Sequence, residues 1–186
     1  MWLVVGLGNP GNEYKWTRHN IGFLCLDVFA DKSRSSWKQE HKAETIKGDF
    51  LGQPVLLAKP QTFMNLSGES VVSLMNFYKI PKENLLVIHD EIEFPFQKMK
   101  FQKNRGHGGH NGVRSISTLL GTADYTRLKL GVGRPAHPEH SVADYVLQKF
   151  SKDEVTLLGD YLNKACEAIE YYMQEGLQKA STKYNV

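Results

Sequence analysis

At 186 residues the chain has the length of one domain and can bury a core without disulfide or metal staples. Its net charge of +3 permits a nucleic-acid partner without demanding one, since a strongly basic binding module would carry a far larger excess. The apolar start Met1-Trp2-Leu3-Val4-Val5 lacks a basic leader and reaches Gly6 too soon for a signal peptide, and no run approaches the length of a membrane span. Cys25 and Cys166 both fall on helix faces, which favours two buried thiols in a reducing compartment over a disulfide framework.

Apolar β-rich runs alternate with helical patterns, predicting an α/β domain built as a single twisted mixed β-sheet flanked by α-helices. The first strand is expected over Trp2–Gly6 and runs into Gly6-Leu7-Gly8-Asn9-Pro10-Gly11, whose glycine spacing matches a dinucleotide-binding fingerprint. That fingerprint needs a helix to start within the glycines, so that free N–H groups meet a pyrophosphate. Here Pro10 to Glu13 reads as a turn, the helical pattern waits until Ile21, and the matching acid, Asp27, falls on a polar helix face. The glycines are better read as allowing close backbone approach, with Asn9 presented at a strand end, where sites form in α/β sheets.

Ile21, Leu24, Cys25, Val28 and Phe29 share one face of a helix expected over Ile21–Asp31, with Asn20 as its N-cap. His19 stands just before it. The positive end of the helix dipole disfavours an imidazolium there, so His19 reads as a neutral general base; a plain surface histidine is the competing reading.

Strands over Ala43–Phe50 and Pro54–Lys59, joined through Leu51-Gly52-Gln53, form a hairpin and make the sheet mixed. The loop Pro60 to Gly68 then opens a helix over Leu66–Tyr78. Asn65 there reads first as an N-cap and second as a ligand, and Met64 as packing or as an adaptable surface for a ring. Leu85–Asp90 is a buried strand ending in a carboxylate, and Asp90 is the natural partner to orient His19. No serine or cysteine sits in an elbow motif, so the attacking species would be water; removing such a base costs ~10²–10⁴-fold in rate.

After a strand over Lys98–Lys103, the run Asn104-Arg105-Gly106-His107-Gly108-Gly109-His110-Asn111-Gly112 opens a helix over Gly112–Leu120. Zinc at His107 and His110 lacks a third ligand at recognisable spacing. Donors at a helix N-terminus suit an anionic or multiply hydrogen-bonded substrate better. Lys98, Lys100, Lys103, Arg105, Arg114, Arg127, Lys129 and Arg134 make a local cationic excess of the kind phosphate contacts need. A strand over Arg127–Val132, a short helix over Val142–Leu147 and a long one over Lys152–Gly176, capped by Ser151 and Glu154, complete the pattern. Residues 179–186 read as a flexible polar tail.

Gly-Leu-Gly-Asn-Pro-Gly at 6–11, Tyr14 before Thr-Arg-His-Asn-Ile-Gly at 17–22, Lys-Pro-Gln-Thr-Phe-Met-Asn-Leu-Ser-Gly at 59–68, His-Asp-Glu at 89–91 and Gly-His-Gly-Gly-His-Asn-Gly at 106–112 together resemble the bacterial-type peptidyl-tRNA hydrolases, in the family's order and over most of the chain. The resemblance implies a monomeric cytoplasmic esterase, independent of metal or cofactor and without a membrane or stable protein partner. It would cleave the bond between a peptide and the terminal ribose of tRNA, recycling tRNA from abandoned translation. By the family pattern His19 activates water and Asp90 holds it. Asn9, Asn65 and Asn111 position the peptide backbone and terminal adenosine, His110 supports Asn111, and Met64 and Tyr14 line the cleft. Asn9 or a neighbouring amide would also stabilise the oxyanion, an interaction worth ~3–4 kcal/mol in other enzymes.

The chain departs from the family at its phosphate clamp. A lysine and an arginine of that clamp correspond to Gln102 and Lys129 here. Lys129 keeps the charge without the bidentate fork. Lys100 and Lys103 are the candidates to replace the missing lysine, with Arg105 beside them. Two other readings remain: an RNA-binding or splicing accessory protein of the same fold, and a dinucleotide-dependent enzyme.

Overall fold

The structure is a computed structural model and describes residues 1–186. Its strands are β1 (Trp2–Gly6), β2 (Lys38–Glu40), β3 (Ala43–Phe50), β4 (Gln53–Pro60), β5 (Leu85–Glu91), β6 (Met99–Lys103) and β7 (Thr126–Gly131). Its helices are α1 (Ile21–Ala30), α2 (Ser67–Tyr78), α3 (Asn111–Leu120), α4 (Val142–Val146), α5 (Lys152–Glu175) and α6 (Leu177–Tyr184). One seven-stranded sheet runs in the order β2-β3-β4-β1-β5-β7-β6. The central strands β4, β1, β5 and β7 are parallel, and β2, β3 and β6 are antiparallel to their neighbours, which gives the mixed sheet that the hairpin required.

Helices cover both faces. Ile88, Leu128, Met99 and Phe101 pack against α1 and α5 on one side, and Leu3, Val5 and Val87 against α2 and α3 on the other. Such two-sided burial explains why β1 and β5 read as continuous apolar runs. Cys25 of α1 and Cys166 of α5 are buried free thiols that meet across the helix pair, the Cys166 thiol donating to the Cys25 carbonyl at 3.7 Å.

Two expectations change. The tail read as flexible is ordered: α6 buries Ala180, the Asn185 side chain pairs with the Phe101 backbone through both its oxygen and its amide, and the Val186 N–H donates to Met99. These partners lie on the edge strand β6, far away in sequence, so a polar composition could not reveal them. The three-residue β2 was also not expected, because Lys-Gln-Glu carries no apolar alternation.

Glycine at position 22 is what lets α1 press onto the sheet. A Cβ there would stand 2.5 Å from the Ile88 carbonyl oxygen and from the Leu7 nitrogen. The first turn of α1 therefore rests on the ends of β1 and β5, and the residues just before it overhang those ends.

Candidate active site

The chain turns to opposite sides at β1, whose parallel neighbours are β4 and β5, so a crevice opens beyond the carboxyl ends of these strands. Asn9 leaves β1, Asp90 lies near the end of β5, the 3-10 turn Arg18–Asn20 carries His19, the turn Met64–Leu66 follows β4, and His110 caps α3. A cleft of about 470 Å³ is lined by Asn9, His19, Met64, Asn65, Asp90, His110 and Asn111, with Phe63, Val142 and Leu147 as apolar wall.

At its floor two imidazoles share one carboxylate. The His19 Nδ1–H donates to Asp90 Oδ2 at 2.8 Å, and the His110 Nε2–H to Asp90 Oδ1 at 2.7 Å. His110 Nδ1 accepts from the Val113 N–H at 3.3 Å, which caps α3 and turns Nε2 toward Asp90. His19 in its neutral form must carry its proton on Nδ1, leaving the Nε2 lone pair free. Burial alone would raise the pKa of Asp90, but the charges of His19 and His110 and their hydrogen bonds hold it well below the usual carboxylate range. Burial pushes His19 down, and the charge and hydrogen bond of Asp90 more than reverse this, so its pKa is raised. The expectation that the helix dipole keeps this ring neutral is thus corrected: an ionised carboxylate at 2.8 Å outweighs partial charges at the end of a helix.

The turn bearing His19 is clamped from behind. Arg18 is buried, its Nη2 meets Glu154 at 2.8 Å, and its guanidinium lies 4.1 Å from the centre of the Tyr145 ring. Glu154 is also half of the capping box of α5, so one carboxylate fastens α5 and the His19 turn together.

Asparagine roles divide in a way that sequence could not show. Asn20 occupies the position before α1 but makes no side-chain cap; its amide pairs instead with Asn9, accepting from the Asn9 N–H and donating to the Asn9 carbonyl, both at 2.9 Å. The Asn9 Oδ1 accepts from the Met64 N–H at 2.8 Å, so the Asn9 Nδ2 is left to donate into the cleft. Asn65 lies inside a 3-10 turn, caps nothing and is exposed, and Asn111 is exposed at the first turn of α3. Both line the cleft. Met64 is buried beside α3, where a Cβ on Gly112 would stand 2.6 Å from its sulfur.

Two residues sit elsewhere than expected. Tyr14 is not on the cleft wall; its ring meets Phe63 edge-on at 6.5 Å, and Phe63 takes the wall position. His110 bonds to Asp90 and the α3 backbone and makes no bond to Asn111. His89, quoted only as part of the His-Asp-Glu motif, was given no role, because in sequence it is one more residue of a buried strand. Its Nδ1–H donates to the Asp90 carbonyl at 2.7 Å, its ring centre is 4.7 Å from that of His110, and its Nε2 meets no partner. Burial first, then the charges of His110 and Arg127, push its pKa well below the usual value, so it stays neutral.

The cations form a separate surface on β6, β7 and the adjoining loop. Lys100 stands opposite Lys129 in the ladder, and Gln102 opposite Arg127. Lys129 is paired with Glu91 at 3.2 Å, and Lys103 reaches Asp124 at 3.8 Å. Lys100 and the exposed Arg105 have no acidic partner.

Ligand-type atoms of His19, Asp90 and His110 lie within 4.8 Å of one another. A cation there would have to displace both imidazoles from the carboxylate oxygens. His107 accepts from the Gly109 N–H at 2.9 Å, a bond internal to its loop, and His110 is committed to Asp90, so the two do not converge as zinc ligands. A larger cleft of about 680 Å³ opens on the other side of Asn9. Three of its ionic groups satisfy one another: Lys59 bonds Asp27 at 2.6 Å and Glu44 at 3.1 Å and lies 4.2 Å from the Trp37 ring centre.

The chain is similar over its whole length to known proteins. The peptidyl-tRNA hydrolase family model matches residues 3–186. The chain is 60% identical over 186 residues to a peptidyl-tRNA hydrolase of Bdellovibrio bacteriovorus, covering 100% of both chains. It is 46% identical to one of Chloroflexus aurantiacus, covering 100% of this chain and 99% of the other. The crystal structure of peptidyl-tRNA hydrolase from Acinetobacter baumannii superposes with a TM-score of 0.92 at 35% identity, covering 100% of this chain and 95% of that one.

Proposed function

The chain belongs to the peptidyl-tRNA hydrolase family, and from that premise we propose how it hydrolyses the ester between peptide and tRNA. The observation that carries the reading is the Asp90 carboxylate, which takes the Nδ1–H of His19 and leaves Nε2 free over the cleft. Nε2 removes a proton from water as the water oxygen bonds to the ester carbonyl carbon. The carbonyl electron pair moves to its oxygen, and the Asn9 Nδ2–H donates to it. Collapse re-forms the carbonyl and breaks the bond to the ribose oxygen, which takes the proton from His19. The products are a peptide acid and a tRNA with a free terminal hydroxyl.

Asp90 stays ionised throughout and offsets the imidazolium that forms. His110 holds the second oxygen of Asp90, a role that replaces the expected support of Asn111. Asn65 and Asn111 hold the peptide backbone and the terminal adenosine between them, Met64 packs beneath the reacting group, and Tyr14 acts through Phe63. Lys100 and Arg105, free of acids, lead the phosphate contacts, with Lys103 and Lys129 contributing less because Asp124 and Glu91 already engage them. The protein works as a cytoplasmic monomer of one domain, recycling tRNA from abandoned translation. No helix is long and apolar enough to cross a membrane.

The test is hydrolysis of an N-blocked aminoacyl-tRNA, with chelator present, by the wild-type protein and by His19→Ala. Intact tRNA should be released, and the variant should lose roughly 10²–10⁴-fold in rate. Wild-type protein that binds tRNA without turnover would instead make it the accessory RNA-binding relative.

A further inference from the structure

Arg127 is 1% exposed and is the largest fully buried side chain of the molecule. It has no acidic partner, since the nearby Glu91 is engaged by Lys129. Its one hydrogen bond runs from Nη2 to the Gly106 carbonyl at 3.0 Å. A buried guanidinium without a carboxylate is costly, and an apolar side chain of similar volume would fill the same space at less cost. What the charge secures is therefore the carbonyl it touches.

That carbonyl belongs to the loop between β6 and α3, and no other hydrogen bond joins residues 104–109 to the sheet. The loop holds Asn104, Gly108 and Gly109 in left-handed conformations, with φ of 56°, 58° and 85°. Beyond Gly106 it is braced only within itself, the His110 N–H donating to the His107 carbonyl at 3.0 Å and the Gly109 N–H to the His107 ring. Its exit delivers His110 onto Asp90 and Asn111 to the cleft.

We propose that Arg127 is a positioning residue for the reaction: sealed beneath the glycine-rich loop, its guanidinium pins Gly106 and so sets where His110 and Asn111 stand. The inference rests on the reading of His110 as the buttress of Asp90. Arg127 touches neither substrate nor the reacting atoms, and its burial keeps it from acting as a direct phosphate contact.

The experiment compares Arg127→Met, Arg127→Lys and Arg127→Ala with His110→Ala, on N-blocked aminoacyl-tRNA and on the same ester of a CCA trinucleotide, with thermal unfolding of each variant alongside. Arg127→Met should lose roughly ten- to a hundredfold in kcat on both substrates with KM little changed, because a displacement of about an ångström is enough for such a loss. Arg127→Lys, which keeps the charge but not the fork, should fall between, and it preserves the test should the methionine variant fail to fold. Sub-denaturing guanidinium ion should restore part of the kcat of Arg127→Ala. An unchanged kcat with a lower melting temperature would overturn the proposal, as would a KM defect confined to full-length tRNA. Full activity in His110→Ala would sink the underlying reading of His110, whereas a slow His110→Ala beside a fully active Arg127→Met would sink the Arg127 proposal alone.

Discussion

Two polar clusters, each built around one buried ion, lie on either side of Asn9, and they are near opposites. On one side a single carboxylate, Asp90, is met by the imidazoles of His19 and His110; on the other a single ammonium, Lys59, is met by the carboxylates of Asp27 and Glu44. Both bring ionisable groups out of water, which costs free energy unless each is paired. They differ in what remains after pairing. The lysine cluster is saturated, with its ammonium spent on two oxygens and an aromatic face, and the larger cleft beside it holds no histidine. Of the two rings on the Asp90 carboxylate, one keeps a lone pair over, on His19 Nε2. In the proposed mechanism reactivity follows from that lone pair, backed by the hydrogen bonds of Asp90, and not from cleft size.

The largest effect is expected at Asp90. Asp90→Asn removes the charge that raises the His19 pKa, and kcat should drop on the order of 10³–10⁴-fold in steady-state hydrolysis. With Asp90 gone only burial acts on the imidazole, so the acid limb of the rate profile should move from above the ordinary histidine range to below it. Asn9→Asp is next. It keeps an oxygen for the Met64 N–H but loses the donor to the oxyanion, and kcat should fall roughly 10²–10³-fold with little change in melting temperature.

Lys59→Met tests the other cluster. Leaving Asp27 and Glu44 without their cation should cost about 1–2 kcal/mol in chemical denaturation, tempered by the partial exposure of both acids, and should leave kcat of the folded protein unchanged. A large loss of kcat would erase the distinction between the two clusters. The smallest effect is expected at the cationic edge: Lys100→Ala should raise KM for tRNA and lower the salt slope of binding by about one unit, leaving hydrolysis of the CCA ester untouched.

Much of this was legible in the sequence, and what was not has a common cause. Trp2–Gly6 and Ala43–Phe50 match their strands to the residue, because apolar runs and a hairpin turn are local signals. The pairing of His19 with Asp90 could be anticipated from a histidine before a helix and an acid at a strand end. Side chains whose partners are far along the chain could not be. Asn20 looks like a helix cap, yet it holds Asn9; His110 looks like a loop donor, yet it reaches Asp90; and Arg127 looks like one more member of a basic run, yet it is buried under Gly106. In each case a local rule was overridden by a contact that only the assembled sheet creates.

A ¹⁵N NMR titration of the wild-type protein reads the state of the His19 ring itself. With Asp90 as its partner, the neutral ring should carry its proton on Nδ1, with Nε2 unprotonated, and should titrate above the ordinary histidine value. A neutral ring protonated on Nε2, or one titrating below the ordinary value, would contradict the proposed role of His19.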